Sequence, residues 1–163
     1  MQRRQHLALI PPRIVRIGRA TLADATATAS AALPKETGGI LLGWRELDAV
    51  VVTRLVEVVD PDAGSATYTR NRAAAETALQ RALATVPSRD LVGYVGEWHV
   101  HPAVQGPSWQ DRRELRAVAR ASPHAVALIV LSHDGECDSW LLAALTARSC
   151  LVRTAKIHEK EAA

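Results

Sequence analysis

The sequence predicts a mixed α/β fold in which a central β-sheet is flanked by helices. Three observations carry this. About seven short apolar segments have strand character, and three longer segments, near positions 22–33, 72–86 and 108–121, have helical periodicity. The helices are also interspersed among the strands rather than grouped at one end.

In chain order, Arg13 to Ile17 reads as a short edge strand. Thr21-Leu22-Ala23-Asp24 has capping-box form with Asp in place of Glu, and an Ala-rich helix runs from there to Leu33, before Pro34. Gly38 to Arg45 and Ala49 to Val59 are apolar runs joined by Glu46-Leu47-Asp48, the pattern of a hairpin. Asp60 to Thr69, with Pro, Gly and Ser, reads as a loop. Arg72 to Val86 places Ala75, Leu79, Ala82, Leu83 and Val86 on one helical face and is stopped by Pro87. Leu91 to Val100 is strand-like, and a loop leads from it into a helix over Ser108 to Ala121. Ala125 to Ser132 and Asp138 to Leu145 flank Asp134-Gly135, a hairpin signal. Leu151 to Ile157 adds a last strand, and His158 to Ala163 reads as a polar tail that frays.

At 163 residues the chain suits one domain with a real core, residues 1–11 and 158–163 being expected as flexible ends. The net charge of +3 is too small to imply nucleic acid. Cys137 and Cys150 form no CxxC pair, which points to a reduced, intracellular setting with both thiols buried as small apolar groups. Leu7 to Ile10 is too short for a signal peptide, and the longest apolar run, Ala125 to Leu131, is strand length. A cytoplasmic protein is expected. His6, His124, His133 and His158 read as structural or surface residues, and Trp44, Trp98, Trp109 and Tyr94 as core or rim.

The informative stretch is GEWHVHPAVQGPSWQD, Gly96 to Asp111. On a strand, residues i and i+2 share a face with Cα atoms about 6.5–7 Å apart, so His99 and His101 could direct two imidazoles at one ion. They could equally be polar residues on a solvated strand. Ser108 and Asp111, three apart before a helix, have the form of a capping box. Asp111, Leu115, Val118 and Ala119 fall at i, i+4, i+7 and i+8, so the acid lies in line with the apolar stripe. Arg112, Arg113, Arg116 and Arg120 take the other side, as a solvated face. An inward carboxylate needs a partner, and an ion held by two histidines would supply one. Two His and one carboxylate leave a fourth position for water, as in catalytic zinc sites. A base would then be needed, and two glutamates compete. Glu97 shares strand parity with the histidines and could be the base, an outer partner or simply a salt-bridged surface residue; Glu36 lies in LPKETGGILLG, where Gly38-Gly39 allows another chain close to the backbone. Spacing alone does not choose between them.

KETGGILLG followed by EWHVHPAVQGPSWQD resembles the JAMM motif of the JAB/MPN metalloproteases: Glu with Gly-Gly and an apolar strand, then His-x-His-Pro, a loop and Ser-x-x-Asp. The likeness spans roughly Arg13 to Leu145 by element order. It implies the JAB/MPN fold, related to that of cytidine deaminases, and one Zn2+ per chain. It further implies His99, His101 and Asp111 as ligands, Glu36 as general acid/base and Ser108 as a stabiliser of the oxyanion. The implied activity is hydrolysis of peptide or isopeptide bonds just after the C-terminus of a ubiquitin-like protein, for deconjugation or precursor processing. Trp109 is a candidate substrate contact and Glu97 a candidate outer partner of the ligands. The implied partners are a ubiquitin-like or sulfur-carrier protein with an extended tail, added to an exposed strand, and activating or conjugating enzymes encoded nearby. Nine residues, 102–110, separate His101 from Asp111, one fewer than in eukaryotic deubiquitinases and compatible with small prokaryotic members. A non-catalytic binding module on the same fold and trimming of a sulfur-carrier tail are the alternatives. A zinc deaminase is disfavoured, because neither His-x-Glu nor Pro-Cys-x-x-Cys occurs.

Overall fold

The computed structural model of the chain describes residues 10–65, 70–87 and 91–160. The elements run β1 (Ile14–Gly18), α1 (Arg19–Ala32), β2 (Gly38–Arg45), β3 (Ala49–Glu57), α2 (Arg72–Ala84), β4 (Gly93–His101), α3 (Trp109–Ala121), β5 (Val126–Asp134), β6 (Ser139–Arg148) and β7 (Leu151–Lys160). Three helices are interspersed among a mixed set of strands, as the sequence predicts.

The sheet itself differs from expectation. Its strands pair in the order β1-β3-β2-β4-β5-β6-β7 and close into a barrel, because β7 returns to pair with β1 in parallel. The expectation was a sheet flanked by helices, whose last strand ends at Ile157 before a tail that includes His158 to Lys160. They are three more strand residues, in register with Arg16, Ile17 and Gly18. Ala155 of β7 is buried and Val152 and Ile157 pack against the core, but the apolar pattern stops at Ile157, and the last three residues pair with β1 through the backbone. The expected N-terminal flexible end is also tied down at its last residue: Pro11 is buried and its carbonyl accepts from Arg153. Residues 1–9, with His6, and residues 161–163 lie outside the described residues.

One core cluster fills the barrel interior with Val15, Ile17, Leu41, Val50, Val52, Trp98 and Ile129, and α1 adds Ala25 and Ala29 to it. The outer face is covered in two places: α2 packs on Ile40, Leu42 and Val58, and α3 packs Leu115 and Ala119 on Val126, Leu128 and Val130. β5 is therefore buried on both faces, which is why VALIVL, Val126 to Leu131, is uninterruptedly apolar.

Helix α1 starts at Arg19, directly after β1, and not at the apparent capping box. Gly18 is its N-cap with no side-chain cap bond, and the Thr21 hydroxyl donates instead to the Thr53 carbonyl. Cys137 and Cys150 are exposed, not buried, because they fall in the turns before β6 and β7. Among the described residues no helix is long and apolar enough to cross a membrane.

A bulge in β4 decides which way the site faces. The register against β2 shifts between Leu41, opposite Gly96, and Leu42, opposite Tyr94. Val95 therefore turns inward with Trp98 and Val100, and Glu97, His99 and His101 all face outward. Gly96 has φ +156°, and a Cβ there would lie 2.0 Å from the Ala127 carbonyl oxygen on β5. Gly96→Ala is expected to cost at least about 3 kcal/mol in urea unfolding, since backbone on both sides must move.

Candidate metal centre

The outer face of β4 forms the floor of a cleft of about 800 Å³, and the N-terminus of α3 stands over it. Ser108 is the N-cap: its hydroxyl oxygen accepts from Asp111 N–H at 3.1 Å, and its own N–H donates to Asp111 Oδ2. Both halves of the capping box are present. The cap and the inward direction of Asp111 are compatible because the carboxylate has two oxygens. Oδ2 closes the cap, and Oδ1 lies 3.1 Å from His99 Nε2. Asp111 is only 6% exposed and His101 7%.

The three side chains singled out by spacing thus converge. His99 Nε2 lies 3.1 Å from His101 Nε2, and His101 Nε2 lies 3.8 Å from Asp111 Oδ2. One ligand atom from each of the three lies within 4.8 Å of the others. A tetrahedral ion with bonds of about 2.0–2.1 Å holds its ligand atoms about 3.3 Å apart, and the observed separations bracket that value. His101 Nδ1 sits 2.9 Å from the Gln105 carbonyl, an acceptor only, so Nδ1 carries the proton and Nε2 presents a lone pair to the cleft. Burial alone would raise the Asp111 carboxyl, but hydrogen bonds from His99 and Ser108, with the charge of His99, hold it well below the usual range. A donor set of two imidazoles and one ionised carboxylate on a half-open wall fits a divalent metal with a vacant position.

Glu36 enters from just before β2, the strand next to β4. It lies between α1 and β2, and its neighbour Thr37 is tied to β4, whose Val100 N–H donates to the Thr37 carbonyl at 2.8 Å. Gly39 admits a neighbouring chain segment closely, as the Gly-Gly pair suggested, and that segment is β3: a Cβ there would lie 1.9 Å from the Val56 carbonyl oxygen. Glu36 lines the same cleft as the three convergent residues. Desolvation raises its carboxyl pKa, partly offset by His101 and His99, and Asp111 adds to the rise. Trp109, beside the cap, is 74% exposed on the cleft rim, with the Arg113 guanidinium 5.6 Å from its ring.

Glu97 faces the cleft as its parity required, yet it is not bonded to the histidines. Arg70 Nη2 lies 2.6 Å from Glu97 Oε1, which also accepts from the Tyr94 hydroxyl. The partner that orients a histidine is the Gln105 carbonyl instead. Sequence reasoning missed Arg70, Gln105 and Ser132, whose hydroxyl donates to the same Gln105 carbonyl. No motif marks them, since each acts across the fold. The sheet edge expected to receive a peptide strand is also absent here: β4 is paired with β2 on one side and β5 on the other.

Three likenesses to known proteins bear on this site. A family model described as prokaryotic homologs of the JAB domain matches residues 19–143. A Sinorhizobium fredii protein named "Probable metalloprotease y4qB" is 32% identical over 118 residues, covering 65% of this chain. That match spans 66% of the relative's own length. The solution structure of protein DSY2949 from Desulfitobacterium hafniense superposes with a TM-score of 0.68 at 20% identity, covering 91% of this chain and 94% of that one. At that identity it speaks to the fold alone.

Proposed function

The chain belongs to the family of prokaryotic JAB-domain homologues, and from that premise we propose that it is a zinc-dependent peptidase or isopeptidase. Its substrate is the bond after the C-terminus of a ubiquitin-like or sulfur-carrier protein, in the cytoplasm. The observation that carries this reading is the convergence of His99 Nε2, His101 Nε2 and Asp111 Oδ1 on a cleft that also takes in Glu36. The naming of the Sinorhizobium relative as a metalloprotease supports the hydrolytic half of it.

His99, His101 and Asp111 would hold the zinc ion, which would supply Lewis acidity toward water and the scissile carbonyl. Glu36, with a raised carboxyl pKa, takes the proton from the attacking water and returns it to the leaving amine. The Ser108 oxygen is engaged by the helix N–H, which leaves its own proton free to donate to the developing oxyanion. With both edges of β4 occupied, the extended tail lies in the cleft between β4 and α3, where Trp109 stands at the rim. Trp109→Ala is expected to raise KM for a tail-bearing substrate about 10-fold with kcat nearly unchanged. An equal fall in kcat would place Trp109 in the chemistry instead.

The deciding experiment is cleavage of ubiquitin-like fusions encoded beside this gene, with and without a chelator. Chelator-sensitive cleavage after the tail is expected, and cleavage indifferent to chelator would overturn the reading. Linear fusions and isopeptide-linked conjugates, assayed side by side, separate precursor trimming from deconjugation.

A further inference from the structure

Ser132 is a buried polar residue that the mechanism leaves without a role. It lies on β5 directly opposite His101 on β4, and it is 4% exposed. Its hydroxyl donates to the backbone carbonyl of Gln105, and the same carbonyl receives His101 Nδ1–H at 2.9 Å. One oxygen with two lone pairs is thus gripped by donors from two adjacent strands. Residues 103–106 of the connecting loop are exposed, so apolar packing does little to hold Gln105 in place. Its anchors are polar.

We propose that Ser132 is a positioning residue for the metal centre. By holding the Gln105 carbonyl against His101, it keeps the imidazole proton on Nδ1 and leaves Nε2 as a lone pair directed at His99 and Asp111. An imidazole freed from that acceptor can carry its proton on either nitrogen, and the Nε2–H form cannot ligate through Nε2. The same bond pins the loop three residues before Ser108, so it also sets where the helix cap begins. Outer partners of metal-bound histidines act in this way generally. The inference rests on the metal reading of the site.

Two measurements on the full chain test it. In the metal-free protein, two-bond 1H–15N correlations should show His101 as a single Nδ1–H tautomer, and an Nε2–H ring in the wild type overturns the proposal whatever the variants do. In competition of zinc against a chromophoric chelator, Ser132→Ala should weaken affinity about 10–100-fold, and Ser132→Thr, which keeps the hydroxyl, should stay within about 3-fold of wild type. Ser132→Ala binding as tightly as wild type would overturn it. So would a Thr variant as weak as the Ala variant, since packing and not the hydroxyl would then be the cause. A wild-type chain that takes up no zinc overturns the metal reading and this inference together. Wild-type uptake with an unaffected Ser132→Ala overturns this inference alone.

Discussion

Replacing Glu36 with Gln is expected to lower kcat/KM by about 10²–10⁴-fold on a tail-bearing substrate, with zinc still bound at about one ion per chain. Glu36 is outside the group of convergent ligand atoms, and its backbone is held by bonds the substitution does not touch, including its own N–H to the Gly64 carbonyl. Gln keeps the size and polarity of the side chain but cannot accept and return a proton. The pH profile gives a second reading. A base must be ionised to act, so wild-type kcat/KM should fall as pH drops through the Glu36 pKa, which burial raises above the ordinary glutamate value. In Glu36→Gln that acidic limb should vanish along with the activity. A Glu36→Gln protein that cleaves at the wild-type rate would remove Glu36 from the mechanism without touching the metal assignment.

Asp111→Asn carries the second large effect and separates the two duties of one carboxylate. Its shape is kept and one amide oxygen can still serve the cap, but the charge that would neutralise a cation is gone. Zinc affinity should fall by more than the roughly 100-fold that loss of an outer partner costs, and activity should fall with it. Asp111→Ala should show the same loss of metal, and should further destabilise the metal-free protein by about 1–2 kcal/mol in urea, because the Ser108 N–H loses its acceptor. Acid titration adds a check on sign. The folded carboxyl of Asp111 is depressed, so its contribution to stability is full above the unfolded value of about 3.9 and is lost as pH falls toward the lower folded value. The Asn variant should lack that acid-dependent loss. Wild-type zinc affinity in Asp111→Asn would leave the two histidines without their third ligand and sink the site as drawn.

Much of this site is legible in short stretches of sequence, because it depends on direction over a few residues. His99 and His101 share a face through the two-residue period of a strand. Asp111 points inward because it continues the line of Leu115, Val118 and Ala119, and Ser108 caps the helix from the one position that reaches the third N–H. The cap and the inward direction of Asp111 looked like rival readings, and they use different oxygens of one side chain. Even so, the outward face of His99 holds together with the inward face of Val95 only through the Gly96 bulge, which alternation alone does not foretell.

The rest of the fold lay beyond local pattern. Glu36 stands 63 positions before His99, and no spacing rule links them; only the family resemblance chose it over Glu97. Barrel closure escaped for a related reason, since His158 to Lys160 at the end of β7 pair with β1 through the backbone and carry no apolar pattern. The pairing of Glu97 with Arg70 and the grip of Ser132 on Gln105 likewise join residues well apart in the chain. Residue order dictates which neighbours share a face, through dihedral periodicity that is complete within a few residues. Which faces meet, and so which proton a buried histidine keeps, follows from pairing and packing across the barrel, where each partner is chosen by what the others leave open.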